Sequence, residues 1–117
     1  MTFFLSRSNI FEELSKNLLL LTYVMFDEII QRMREKVTSL QYVMTLHAEE
    51  EMNDDNLTIY DIEQGILTGE ILERQKDKVT AESKYRIRGT TEDDTEVEVI
   101  AKLSLTGKLV IMTVYRV

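Results

Sequence analysis

The chain has no cysteine, no proline, no tryptophan, a single histidine and only four glycines in 117 residues. The lack of cysteine excludes a disulfide scaffold, a thiolate zinc site and a cysteine nucleophile. With one imidazole and no thiol, neither a metal nor any other cofactor is expected. Scarce glycine and absent proline exclude a collagen-like or low-complexity chain. There is no glycine-rich phosphate loop, no serine–histidine–aspartate order and no zinc-ligand spacing. Long hydrophobic runs are also lacking. The longest apolar block, Leu18-Leu19-Leu20-Leu21-Thr22-Tyr23-Val24-Met25-Phe26, ends at Asp27 and Glu28. It is short of the roughly 20 residues that span a bilayer, and no small-residue cleavage site follows it. A membrane is therefore not an expected partner, and the cytoplasm is the expected compartment.

What is present is enough apolar residue for a real core, at 44% of the chain, in a length that makes one domain. Acids outnumber bases 21 to 14, a net charge of −7. Bulk charge of that sign argues against a protein held to nucleic acid by electrostatics, and DNA is not expected as a partner. The distribution is uneven, however. Seven acids and no Lys or Arg lie between Glu49 and Glu63, and five acids lie between Glu92 and Glu98. Six bases against two acids lie between Arg74 and Arg88. A local basic strip is thus set inside an acidic protein.

Periodicity gives the organisation. Asn9 and Glu12 fit a capping-box-like helix start, and Ile10, Phe11, Leu14, Leu18 and Leu21 repeat at helical spacing. Phe26, Ile29, Ile30, Met33 and Val37 continue an apolar stripe, as one long helix or as two joined by a kink near residues 22–26. Thr45 caps a brief helix from Leu46 to Asn53. Thr58, followed by Asp61 in the first turn, opens a helix over 59–68 that Gly69 stops. From Glu70 the period changes to two. A short strand at about 70–74 and three longer ones, at about 82–90, 95–105 and 108–116, are divided by turns at Thr90–Asp94 and Thr106–Gly107. Helices followed by an antiparallel meander specify an α+β protein, with N-terminal helices packed on a three- to four-stranded β-meander.

Charge suggests a register. Pairing the first two long strands so that residue numbers sum to 184 sets Glu82 against Lys102, Arg86 against Glu98 and Arg88 against Glu96. Such cross-strand pairs contribute roughly 0.2–1 kcal/mol each. The core face is then Val97, Val99, Ala101, Leu103 and Leu105 with Val110, Met112 and Val114. Leu109, Ile111 and Tyr115 form a second apolar row that needs a helix or a partner to cover it.

Three sets of residues are candidates for chemistry, each with a plainer reading beside it. Lys84, Arg86 and Arg88 alternate on one strand face, as a phosphate-facing strip with Lys102 and Arg116 nearby or as the salt-paired ladder of that register. His47 has Glu50 and Glu51 three and four residues on, as a general acid or base or as a locally paired side chain. Tyr115 and Arg116 end the last strand, as a phenol and a guanidinium steering a phosphate or as a packed edge aromatic beside a solvated Arg. The methionines sit at apolar positions and read as core filler.

Several stretches together resemble a known bacterial and archaeal family. They are Tyr42-Val43-Met44-Thr45-Leu46-His47-Ala48 with Met52, Leu57-Thr58-Ile59-Tyr60-Asp61-Ile62-Glu63, Gly69-Glu70-Ile71-Leu72-Glu73, Tyr85-Arg86-Ile87-Arg88-Gly89 and Val110-Ile111-Met112-Thr113-Val114-Tyr115. This looks like the domain of unknown function four-two-five-eight, over about residues 25–117, with residues 1–24 as a helical extension before it. The resemblance implies the compact α+β fold of RelE-like and BrnT-like toxins, many of which cut RNA. It therefore implies a toxin-antitoxin-type RelE-like endoribonuclease, or a degenerate relative, with RNA as substrate and an antitoxin protein as partner. His47 and Tyr115 would be catalytic, and Arg86, Arg88 and Arg116 would bind RNA. The chain departs from the family at one place. Where the family reads His-Ala-x-x-Arg-Met, this chain carries Glu51. The alternative is a non-catalytic interaction or dimerisation module, using the Leu-rich N-terminal helix and the Leu109/Ile111/Tyr115 row.

Overall fold

The computed structural model describes residues 7–117, with side-chain surroundings from Ile10 onward. The described elements are α1 (Arg7–Thr38), β1 (Tyr42–Met44), α2 (Leu46–Asp54), α3 (Ile59–Thr68), β2 (Glu70–Lys76), β3 (Ser83–Thr90), β4 (Glu96–Leu103) and β5 (Leu109–Arg116). The architecture is α+β as expected, with five strands rather than three or four. The sheet order is β1-β5-β4-β3-β2. β2 to β5 form the antiparallel meander, and β1 adds at the edge parallel to β5, with Tyr42 opposite Leu109. At three residues, β1 is too short for a period of two to reveal it.

The helices form where their caps and stripes place them. Thr45 caps α2 by accepting the Ala48 N–H. Thr58 and Asp61 make a full capping box on α3, and Gly69 ends it. α1 resolves the question of a kink, being one continuous helix of 32 residues, about 48 Å long at 1.5 Å per residue. It is already under way at Arg7. The start expected at Asn9 and Glu12 therefore falls inside it, and the Asn9 side chain lies outside the described residues. α1 closes on a Schellman pattern. Leu40 N–H donates to Val37 O and Gln41 N–H to Lys36 O, with Leu40 left-handed at φ 58°. No helix of the described residues is long and apolar enough to cross a membrane.

The core lies on one face of the sheet. Ile30, Met33 and Val37 of α1 and Ile62 and Ile66 of α3 bury against Ile87, Val97, Val99, Ala101, Leu109, Ile111 and Val114. This corrects the core face expected for β5. Leu109 and Ile111 point inward and are fully buried, Val110 and Met112 are only partly covered, and Leu105 is exposed in the turn. The cause is a bulge. Ile100 pairs with Thr113 but Ala101 with Ile111, so Met112 is an extra residue on β5. It reverses the alternation, which lets Leu109, Ile111 and Val114 share a face. The exposed apolar row expected at Leu109/Ile111/Tyr115 does not exist, and it is not available as a contact surface.

The register of β3 on β4 also differs from expectation. Tyr85 pairs with Ala101, Ile87 with Val99 and Arg88 with Glu98, so the numbers sum to 186 rather than 184. A slip of two keeps every residue on its expected face, because side chains alternate with period two. It changes only which charges are directly opposite.

α3 sits unusually close to the sheet. A Cβ on Gly89 would lie 1.9 Å from the backbone oxygen of Gly65, and one on Gly65 would lie 2.6 Å from Val97 Cγ1. Arg34 of α1 donates from Nη2 to the Gly69 oxygen at 2.9 Å, tying the long helix to the α3–β2 junction. On the far side Tyr42 donates to Glu63 at 2.6 Å, and burial, then Glu63, pushes its phenol up to about 12.

Two outcomes follow from these contacts. Gly89→Ala forces α3 off β3 and should lower unfolding free energy by about 1–3 kcal/mol in urea denaturation. Leu40→Gly removes the left-handed penalty at the end of α1 and should raise it by about 1 kcal/mol in the same measurement.

Candidate functional site

The outer face of the sheet, opposite the core, carries a polar cluster built around one carboxylate. β4 places Glu98 between the inward-facing Val97 and Val99, so its side chain projects outward. Neighbouring side chains surround it, and only 3% of it is exposed. Arg86 donates to its Oε1 at 3.0 Å. Arg88 donates to its Oε2 from Nε at 3.0 Å and again from Nη2. The Tyr115 hydroxyl, on β5 directly across the ladder, donates to Oε1. Arg86 also donates to Glu73 of β2 at 2.9 Å. Three strands therefore meet at one carboxyl group, and Arg86 links a fourth, β2, to it.

The electrostatics follow from that geometry. Burial pushes Glu98 upward, but the hydrogen bonds from Tyr115, Arg88 and Arg86 outweigh it and hold the carboxyl down at about 2. The same bonds act in reverse on the donors. The hydrogen bond to Glu98, and then burial, raises Tyr115, so its phenol keeps its proton at neutral pH. Arg86 and Arg88 are both raised, first by their bonds to Glu98. Two guanidiniums against Glu98 and Glu73 leave the cluster with no net charge. Lys102 extends the ladder, donating to Glu82 at 2.6 Å with Asp77 at 3.9 Å. The salt-paired ladder read from the sequence is thus present. The two-residue slip gives Arg88 the Glu98 partner in place of Glu96, and Arg86 meets Glu98 on the diagonal.

The other predicted residues lie at the outer end of β5, beside α2. His47 is exposed on α2, with Nε2 3.2 Å from Glu51. Glu51 accepts the backbone N–H of Val114 at 3.3 Å, and Asp55 accepts that of Arg116 at 2.8 Å. These are N–H groups of β5 beyond the reach of the short β1. An acceptor is needed at position 51 for this, and an arginine there has none to offer. Glu51, where the resemblance implies an arginine, thus holds a backbone N–H of β5. Arg116 donates to the Asp55 and Asn56 oxygens at 3.3 Å and to Thr95 Oγ1 at 2.9 Å, fastening β5 to the end of α2 and to the β3–β4 turn.

The structure thus brings Arg86, Arg88 and Tyr115 together and sets His47 and Arg116 at the α2 side of β5. Glu98 is the residue the sequence reading did not name as part of a site, although its isolation between two valines on a strand was the available signal. The cluster lies on an open face rather than in a cleft. A cavity of about 290 Å³ between α1 and β2, lined by Phe26, Asp27, Arg34 and Glu70 among others, involves none of the predicted residues.

A family model described as a domain of unknown function, DUF4258, matches residues 44–116, from the end of β1 through β5. No curated protein and no solved structure matches.

Because the folded Glu98 carboxyl lies near 2 against an ordinary 4.5, its contribution is complete above pH 4.5 and is lost as the pH falls toward 2. Glu98→Gln should flatten acid unfolding across that interval. At neutral pH it should cost about 3 kcal/mol or more, since two arginines lose their shared anion. Circular dichroism melts at stepped pH measure both effects.

Proposed function

The chain belongs to the DUF4258 family, and from that membership and the Glu98 cluster we propose that it is a small ribonuclease of the RelE/BrnT-like toxin type, or a degenerate relative of one. The observation that carries this reading is the grouping of Arg86, Arg88 and Tyr115 on one open sheet face, held in place by a single buried carboxylate. Guanidiniums and a protonated phenol grouped on one face suit phosphoryl chemistry, because they can donate to the phosphoryl oxygens and to the leaving group.

The reaction that fits is attack of a ribose 2′-hydroxyl on the adjacent phosphorus. The P–O5′ bond breaks, leaving a 2′,3′-cyclic phosphate and a free 5′-hydroxyl. A base takes the 2′-hydroxyl proton, and an acid supplies a proton to the departing 5′-oxygen. Tyr115, protonated and held by Glu98, is the acid in this reading. His47, exposed and paired with Glu51 at the α2 side of β5, is the other candidate for moving the proton. Arg88, with 40% of its side chain exposed, reaches the phosphoryl oxygens, and Arg86 does so in exchange for its bond to Glu73. Arg116, exposed at the end of β5, is a further phosphate contact in exchange for its bonds to Asp55, Asn56 and Thr95. Glu98, held at about 2, stays an anion and orients the donors rather than moving protons. An antitoxin protein is the partner of such an enzyme.

A second reading, a non-catalytic interaction module, has its own supporting observation. The large apolar side chains of α1 from Ile10 to Met25 are exposed, while those from Ile30 onward are buried.

The test of the first reading is endonucleolytic cleavage of RNA by the purified protein without added metal, with cyclic-phosphate ends in the product and growth arrest on expression. Tyr115→Phe and Arg88→Ala should each lower the rate about 100-fold or more, with their thermal midpoints recorded alongside. Absence of cleavage by the wild type, or variants that cleave as well as it does, would overturn the reading.

A further inference from the structure

The N-terminal half of α1 is built for a surface it does not meet among the described residues. Ten large apolar side chains between Ile10 and Met25 are 43–72% exposed. The five of them that share one line, Phe11, Leu14, Leu18, Leu21 and Met25, offer on the order of 500 Å² per chain, so that two copies together reach about the 1,000 Å² that a specific interface needs. The molecule measures 64 × 32 × 25 Å, as a 48 Å helix running past a small domain requires.

The spacing of these residues identifies the occupant. Phe11, Leu14, Leu18, Leu21 and Met25 alternate three and four apart, the a/d pattern of a two-helix seam. The stripe that α1 buries in its own core follows a different line, through Phe26, Ile30, Met33 and Val37. The seam is therefore not the one the domain consumes. The positions that flank a seam and set partner choice by charge are Ser15, Asn17, Thr22 and Val24, and none is ionisable. The nearby charges, Glu12, Glu13 and Lys16, fall on the other side of the helix. Thr22 donates its hydroxyl to the Leu18 oxygen at 3.0 Å, so it brings no unsatisfied donor to a dry contact. A chain of net charge −7 would repel its own copy through an acidic surface, but here the contact is uncharged.

We propose that this seam pairs with the same seam of a second copy of the chain, so that the protein is a homodimer through α1. The proposal deepens the interaction-module reading and is independent of any RNA chemistry. Its solution mass should be twice that of the chain and fall toward one chain on dilution, as read by sedimentation velocity and light scattering of the full-length protein. Leu14→Gln/Leu18→Gln/Leu21→Gln keeps good helix formers and should run at single-chain mass with the thermal midpoint of the domain retained. Glu12→Gln/Lys16→Gln, away from the seam, should keep the doubled mass. Wild type at single-chain mass throughout the dilution series would overturn the proposal, as would a triple variant that stays dimeric. Flotation with phosphatidylcholine–phosphatidylglycerol vesicles separates the two failures. A monomer that floats overturns self-pairing and leaves α1 a contact element. A monomer that neither floats nor changes solubility in the triple variant overturns both.

Discussion

A carboxylate that has left water must be met by donors, and on the outer face of this sheet that requirement acts on four strands at once. Glu98 is enclosed by side chains, and its ionised form survives only because Arg86, Arg88 and Tyr115 all donate to it. β3 must therefore present both arginines at the level of Glu98, β5 must bring Tyr115 opposite it, and β2 must leave Glu73 within reach of Arg86. The register of the sheet and the polar cluster are one arrangement viewed from two sides. The apolar face specifies which residues turn inward, and the carboxylate specifies how far each strand has slid.

This division explains the net charge as well. A count of 21 acids against 14 bases describes an acidic protein, yet the arginines of β3 are neither free nor screened at random. Each is matched to an acid a few ångströms away, so the cluster carries polarity without net charge. Affinity for a polyanion would have to come from geometry and local exchange of partners rather than from a bulk potential. The opposite face is governed by contact instead. The two glycines where α3 meets β3 and β4 let the helix approach until backbone nearly touches backbone, and Arg34 locks α1 to the end of that helix.

Much of this could be read from the residues. Thr45, Thr58, Asp61 and Gly69 mark helix ends because each supplies a specific missing hydrogen bond or backbone freedom, and those signals are local. The order of strands followed from turn residues and the change of period. The parts that could not be read are those that depend on counting across space. Cross-strand charges fitted a sum of 184 as well as one of 186, because a slip of two preserves both faces and a glutamate can serve an arginine on the diagonal as readily as one opposite. The bulge at Met112 leaves no mark in the apolar run Leu109-Val110-Ile111-Met112, so strict alternation placed Leu109 and Ile111 on the wrong side. β1 is three residues long and gains its identity only from β5 beside it. Within the site, the arginines and the tyrosine were visible as chemistry-bearing residues. The glutamate that assembles them resembled one more charge in a ladder.

The acids of α2 have a consequence for how copies of the sheet meet. β1 covers only the first part of β5, and beyond it Glu51 and Asp55 occupy the N–H groups that a foreign strand would otherwise find. At the other margin, β2 carries a bulge beside Leu72 and the charges of Glu73, Arg74 and Lys76. Both margins of the sheet are thus unwelcoming to an added strand, by occupied donors on one side and by irregular backbone with ionised side chains on the other. Fibril-like growth, in which sheet adds to sheet, is discouraged by the native fold itself. A chain of this size can then carry a sticky helix at one end without its sheet becoming a template for polymerisation.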